Sequence, residues 1–600
     1  MSENVSTPPS APCHPERSEG PGWLGGSKAR LRASLPPRSL ATLGMTAGAI
    51  LLATTLHAAP RSRAVRPSPA PIVINAEPPD CAMTPAAPVS CAEGSATFTS
   101  ISAAEVDAIV RAAAKAINGN AMTIAVVDRA GRPLALYRKP GAPATTVSDD
   151  LAVATARTAA FFSHNMAPLS SRTVRYLSGI HFPPGITNTA SAALYGIENT
   201  NRGCDFNVTF ATGQCLPRAR SLAGLPCQPG DTSGCGPGIV TGKQFPGDTN
   251  PASVNAGGIP LYRVTANGSK VSDGKLLGAI GVIGVDGDPQ RAEYAAATGA
   301  FGSLATGIAP VPFYPLPAPG NVFVDGIRLP FLGPDLRLQF NSSGLPSGVR
   351  LDGVTAGTDN GTFVLSPQNG GCAANGDLVL PRAGSKLTVA EVDAIVQRAV
   401  ATARRTRANI RLPLNSYARM VIAVADLDGS ILALHRMPDA TVFSVDVAVA
   451  KSRNVIWFST AGLPNVPPGT AVTNRTIGFG GQPYFPPGID SSVLSPGQGP
   501  WYGSLFTNDL QHACTQGNQL TNPNQNGVVF FAGSTALYRG HELVGGLGVS
   551  GDGIEQDDYV TYFGAGEFLP SQDIWADRLI VNGARLPMFK FPRQPEGVDE

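Results

Sequence analysis

Positions Leu151, Ala154, Thr158, Phe161 and Phe162 recur at helical spacing, and Val447, Val455, Trp457 and Phe458 do the same three hundred residues later. The pattern predicts helices over Ser148–His164 and Ser444–Ser459. A shorter helix precedes each. Ala103–Ala116 follows Ser102 with Glu105 three residues on, and Val389–Arg404 follows Thr388 with Glu391, the spacing of a capping box. Between the helices of each pair, β-branched apolar runs predict strands at Met122–Asp128 and Arg419–Asp426. The turns DRAG and DLDG return the chain as Pro133–Arg138 and Ile431–Arg436, with glycine supplying the φ freedom of a tight hairpin. Irregular stretches follow at 165–255 and 460–525. Each half then closes with two strands, Gly258–Val264 and Leu276–Val285 or Val528–Tyr538 and Glu542–Val549, and a helix starting near Pro289 or Glu555. The order α-β-β-α-loop-β-β-α predicts an α+β fold, an antiparallel sheet covered by helices.

That order occurs twice because the sequence does. IAVVDRAGRPLALYRKPGA (124–142) pairs with IAVADLDGSILALHRMPDA (422–440), ISAAEVDAIVRAA with LTVAEVDAIVQRA, and SRTV (171–174) with NRTI (474–477). HFPPGI pairs with YFPPGI, LLGAIGVIGVDGD with LVGGLGVSGDG, and VDGIRLP with VNGARLP. Six blocks in one order establish a duplicated domain, too long per unit for a solenoid. The expected division is a leader and signal peptide (1–59), a Pro/Ala-rich spacer (60–99), copy one (100–333), a linker (334–385), copy two (386–593) and a tail (594–600). Each copy is large enough for its own core. The cores are expected to pack as an intramolecular pseudo-dimer or to support a homo-oligomer.

Composition narrows the partners. With 45 basic and 43 acidic residues, a net charge of +2 and no basic stripe interleaved with aromatics, nucleic acid is not expected. Charged residues are 15%, against 68 Gly and 54 Pro, a loop-rich and weakly charged chain that suits export. Arg30, Arg32 and Arg38 precede the apolar run LGMTAGAILLATTL (43–56), and LHAAP (56–60) offers small-residue cleavage sites. This layout predicts a signal peptide over about 43–59, no membrane span after cleavage, and a periplasmic or secreted protein. Residues 12–44 resemble a translated intergenic repeat element, which leaves the start site open. Beyond Cys13 lie eight cysteines, an even number that in an exported chain predicts disulfides. Local pairing gives Cys81–Cys91, Cys204–Cys215 and Cys227–Cys235, leaving Cys372 with Cys514. No C-x-x-C supports a metal reading.

Enzyme signatures are missing. There is no G-x-S-x-G elbow and no H-E-x-x-H, and PGIVTGKQ (237–244) lacks the first Gly and the Ser/Thr of a phosphate loop. Asp128 and Asp426 fit hairpin-turn residues better than catalytic carboxylates. No catalytic residue is assigned.

The doubled pattern resembles the GlcG/HbpS family, a haem-binding or haem-degrading domain. Ala125–Asp128, Gly131, Arg138 and Ala142 carry the resemblance, as do Ala423–Asp426, Gly429, Arg436, Met437 and Ala440. Ser444, Ala448, Lys451 and Phe458 match the helix pattern, whereas copy one has Thr155 in place of the Lys. Gly257, Gly258, Pro260, Gly278, Gly281 and Gly284 match the glycine pattern in copy one, and Gly545, Gly548, Ser550 and Gly551 in copy two; Gln556, Asp557 and Asp558 match the motif that follows, which copy one reduces to Gln290 and Glu293. The resemblance implies a profilin-like α+β fold in each copy, frequent oligomerisation, and a small planar ligand such as haem as partner and cofactor. Arg138, Arg172, Arg436 and Arg475 are the propionate candidates, since a guanidinium fork pairs with a carboxylate. His181 and His164 are the metal-ligand candidates. Tyr484 aligns with His181 and Tyr137 with His435, so Tyr484 and His435 join the cofactor-binding set. Two other readings stand beside this one: a ligand-free interaction module of the cell envelope, and an enzyme acting on a small metabolite.

Overall fold

The structure is a computed structural model that describes residues 100–178, 194–200, 252–267, 270–302, 307–314, 322–324, 327–482, 498–507 and 527–596. Copy one runs α1 (Ala103–Ala116), β1 (Thr123–Asp128), β2 (Pro133–Arg138), α2 (Thr146–Phe162), α3 (Ser171–Ser178), β3 (Gly258–Asn267), β4 (Lys270–Ile283) and α4 (Pro289–Gly302). Short strands follow: β5 (Ile308–Ala309), β6 (Phe323–Val324) and β7 (Ile327–Arg328). Between the copies lie β8 (Arg337–Phe340), β9 (Pro346–Arg350), β10 (Thr362–Leu365) and β11 (Gly376–Val379). Copy two is α5 (Val389–Ala403), β12 (Val421–Ala425), β13 (Ile431–Arg436), α6 (Ser444–Ala461), α7 (Asn474–Gly481), β14 (Ser534–Arg539), β15 (Glu542–Ser550) and α8 (Ile554–Ala565), closed by the hairpin β16 (Ile580–Val581) and β17 (Ala584–Arg585).

Each copy is the expected α+β unit. The sheets read β10-β2-β1-β4-β3-β5 and β11-β13-β12-β15-β14, antiparallel throughout. β1 is buried along its whole length. Its alternation splits it between two layers: Ile124 and Val126 pack with α1 and α4, while Ala125 and Val127 pack with α2. The helix of the second layer lies almost on the strand. A Cβ on Gly281 would meet Ala152 O at 2.4 Å, and one on Gly548 would meet Ala448 O at 2.1 Å. The glycines of GAIGVIG and GGLGVSG are therefore the space that α2 and α6 occupy. One buried guanidinium ties helix to hairpin in each copy: Arg157 Nε donates to Gly131 O at 2.7 Å and Arg453 Nε to Gly429 O at 2.8 Å. The segment between the copies supplies an edge strand to both sheets, β10 beside β2 and β11 beside β13.

Both capping boxes form as expected. Other boundaries differ. α2 begins at Thr146 under a Thr145 cap, not at Ser148. The stretches expected to be irregular contain α3 and α7, eight-residue helices too short to show periodicity. Residues 528–533, apolar and β-branched, were expected to begin a strand, yet β14 starts only at Ser534. Side-chain amides replace the ladder there. Asn454 accepts from Val529 N at 2.9 Å and donates to Gly527 O at 2.8 Å, and Asn474 donates to Val529 O at 2.6 Å. Among the described residues no helix is long and apolar enough to cross a membrane.

The two copies meet through buried charge. Asp439, in the left-handed region at φ 65°, accepts from Arg129 of copy one at 2.9 Å and from the Asn165 backbone N–H at 3.0 Å. Arg411 joins Asp439 to Asp552, the latter at 2.8 Å. Burial opposes ionisation of Asp439, but Arg411, Arg129 and His164 outweigh it and hold the carboxyl well below the usual range. Alongside, Phe162 stacks on Phe443 with ring centroids 4.1 Å apart, and Val442 N donates to Phe161 O at 3.0 Å. Arg411→Met strips Asp552 and half-strips Asp439 of a buried partner, and is expected to cost about 3–5 kcal/mol in urea denaturation. Arg350→Met, in the exposed pair with Asp352, is expected to leave the midpoint unchanged.

Candidate functional site

The docking of the tail on each copy sets the site. Ser170 and Thr173, at the start of α3, donate to Phe331 O at 2.6 Å and Pro330 O at 2.7 Å. Thr473 and Thr476 repeat this at α7, each 2.7 Å from Met588 O and Pro587 O. Beside these bonds sits a buried ion pair, Arg172–Glu293 in copy one and Arg475–Asp558 in copy two. Each acid also accepts a backbone N–H of the tail, Gly333 at 2.7 Å or Lys590 at 3.0 Å. Burial pushes the Glu293 and Asp558 carboxyls up, and Arg172 and Arg475 oppose it.

In copy two this tail walls an open cleft of about 480 Å3, within the range of small-molecule sites. Tyr562, Trp575, Phe589 and Phe591 form its apolar surface, with Met588 and Arg585 at its margin. The rings meet edge to face: Tyr562 with Phe589 and Phe591 at 5.5 and 5.2 Å, and Trp575 with Phe589 at 5.5 Å. Phe589 also borders an adjoining recess of about 230 Å3, where Phe479 and Phe530 sit with Arg475 and Lys590. Lys590 Nζ reaches Glu555 at 2.9 Å, and Arg475 Nη2 is buried without a hydrogen-bond partner among the described residues. The described residues of copy one form no such surface. Its positions equivalent to Tyr562, Phe563, Phe589 and Phe591 are Ala297, Thr298, Leu332 and Pro334.

The expected ligand residues that are described do not converge. Arg138 pairs with Asp149. Arg172 pairs with Glu293, and Arg436 is buried against the carbonyls of Ala440 at 3.1 Å and Ala374 at 2.8 Å. His435 Nδ1 lies 2.7 Å from Asp377, and Tyr137 OH accepts from Gly361 N. Among the described candidates, Arg475 alone borders the recess. His181 and Tyr484 lie outside the described residues. So do the cysteines other than Cys372; Cys372 is disulfide-bonded, and its partner lies outside the described residues. No cluster of three or more His, Cys, Asp or Glu able to hold a metal occurs among the described residues. The aromatic cleft escaped the sequence reading, although Tyr562 and Phe563 on one helix and Phe589 and Phe591 in the tail, opposite non-aromatic residues in copy one, are its signal.

The family model for "Haem degrading protein HbpS-like" matches residues 98–221 and 387–565, just over half of the chain. The chain belongs to this family. Copy two is HbpS-like from α5 through α8, whereas the match in copy one stops before β3. Two solved structures are similar to the chain. One is the Klebsiella pneumoniae protein ORFY of family DUF336, 20% identical with a TM-score of 0.20, covering 31% of this chain and 92% of that one. The other is a PduOC:heme complex, 23% identical with a TM-score of 0.19, covering 30% of this chain and 94% of that one. No curated protein matches the chain.

His164 belongs to the boundary between the copies. Its Nδ1 accepts from Met166 N at 3.1 Å, which places the proton on Nε2, 3.1 Å from Ile410 O. Burial, then Arg411, pushes its pKa down to about 4. A lowered histidine pKa contributes stability that is complete above the unfolded value near 6.5 and is lost as pH falls towards 4. The urea stability of the wild type relative to His164→Gln is expected to shrink by roughly 3 kcal/mol between pH 7 and pH 4. A constant difference across that range would show that His164 takes up its proton as readily in the folded protein as in the unfolded chain.

Proposed function

We propose that copy two binds a haem-type tetrapyrrole against its aromatic cleft, as a protein of haem capture, sensing or breakdown. The observation that carries this reading is an aromatic surface beside a recess lined by Arg475 and Lys590, present in the copy that matches the family through to its closing helix. The residues fit such a ligand. Tyr562, Trp575, Phe589 and Phe591 offer ring contacts to a flat apolar macrocycle. Arg585, which lines the cleft with its partner Asp577, and Arg475 and Lys590 beyond Phe589 are the guanidinium and ammonium groups available to propionate carboxylates. Tyr562 supplies a phenol and Met588 a thioether, both side-chain types that ligate porphyrin iron. Bound haem would supply iron redox chemistry; the chain would bind, orient and shield it. His164, with both ring nitrogens engaged within the protein, has no part in this reading.

The reading extends to an exported protein, supported by the apolar run 43–56 and the small residues of LHAAP. N-terminal sequencing of the cell-envelope fraction is expected to find Ala59 or Pro60 first.

Haemin titration of the full chain, followed in the visible spectrum, is expected to saturate at one haem per chain with a shifted Soret band. Trp575→Ala with Phe591→Ala is expected to weaken binding at least about tenfold, as for other aromatic anchors. Tyr562→Phe is expected to move the absorption maximum more than the affinity, while His164→Gln leaves both in place. A spectrum identical to free haemin would overturn the reading and leave the cleft as an interaction surface.

A further inference from the structure

A second site lies between the copies. The ends of α2 and α3 from copy one and the starts of α6 and α8 from copy two enclose a cavity of about 30 Å3. That is room for about two water-sized groups. Its walls are apolar, with Phe162, Leu177, Ile410, Phe443, Phe531 and Ile554 among them. Asp557, Ser550, Asp552, His164 and Thr441 are its polar lining.

Asp557 is 2% exposed and only half satisfied. Its Oδ2 accepts from Lys451 Nζ at 2.9 Å, and that ammonium also donates to Val549 O at 2.7 Å and lies 5.0 Å from the Phe531 ring centroid. Oδ1 is buried with no hydrogen-bond partner among the described residues. An unpaired buried carboxylate oxygen costs about 1–3 kcal/mol or more, so its retention asks for a partner. The pair is not needed to build the fold. Copy one has Thr155 where copy two has Lys451 and Ala292 where it has Asp557, so both charges are absent together.

The charge balance selects the guest. Lys451 neutralises Asp557, and Arg411 neutralises Asp552, which also lines the cavity, so a cation or an anion would enter without compensation. A neutral group must satisfy Oδ1. Gly553 leaves the N-terminus of α8 without a side-chain cap, and Ser550 Oγ, which donates to Ser444 Oγ at 3.0 Å, can still accept. A hydroxyl both donates and accepts, and so matches these neighbours. It matches in either protonation state of Asp557, whose carboxyl burial pushes up to about 7 against the pull of Lys451.

We propose that this cavity is a binding site for a small neutral hydroxyl compound, about two or three heavy atoms in size, held by Asp557 Oδ1. The site is independent of the tetrapyrrole reading, and its test can fail without touching that reading. Ethanol is the probe, at concentrations far below those that unfold proteins, with saturation transfer from protein methyl protons read by NMR on the full chain. The wild type is expected to transfer saturation to ethanol. Lys451→Met with Asp557→Leu removes both charges at similar volume and is expected to lower the transfer at least about fivefold, the worth of one hydrogen bond. Asp557→Asn keeps the volume and an amide at the same place, and is expected to retain partial transfer if the double variant does not fold. Haemin binding is expected to be unchanged in every variant. No transfer to the wild type, which would mean a cavity holding water alone, or equal transfer in all variants, overturns the proposal.

Discussion

Asp439 is the constraint on which the association of the two copies turns. A carboxylate at this depth is affordable only because two guanidiniums and a backbone N–H converge on it, one guanidinium and the N–H from copy one and the other guanidinium from copy two. Arg411 then carries the same clamp to Asp552, at the start of the loop into α8. The charges therefore fix register as well as proximity. Sliding one copy against the other would part Arg129 from Asp439. The Phe162–Phe443 stack adds apolar contact at a place that the charges have already defined.

The duplicated sequence has been used asymmetrically. Framework devices are kept in both copies: the buried Arg157 and Arg453, the Arg172–Glu293 and Arg475–Asp558 pairs, and the hydroxyls that hold the tail. Among the described residues, the aromatic and charged features that single out each space lie in copy two. The aromatic cleft and the Lys451–Asp557 pair both fall there, and α8 presents residues to both. Copy one contributes walls to the inner cavity through Phe162 and Leu177.

Much of the fold was legible because its signals are local. Ser102 with Glu105 and Thr388 with Glu391 announce helix starts within four residues, and the hairpins DRAG and DLDG announce themselves through a single glycine. What escaped depends on contacts distant in sequence. Val528–Gly533 has strand composition, but Asn454 and Asn474, over fifty residues away, take its backbone hydrogen bonds. Arginine was a sound guess for carboxylate recognition, yet Arg138, Arg172 and Arg436 satisfy partners within the protein that spacing could not reveal. Arg475 differs in bordering a recess, a matter of tail docking rather than of motif. The aromatic cleft was visible only as a difference between aligned copies, since neither half alone marks those positions as unusual.

The strands β10 and β11 change what the segment between the copies is. A tether could be lengthened or cut with little effect, but residues 362–365 complete the sheet of the first copy and residues 376–379 that of the second. The outer edges of β2 and β13 would otherwise present open rows of N–H and C=O groups, templates for joining another chain. The separable halves of this protein accordingly part between residues 366 and 375, not at the ends of the repeated sequence. A gene fragment trimmed to the repeat alone would yield a domain with an adhesive flank.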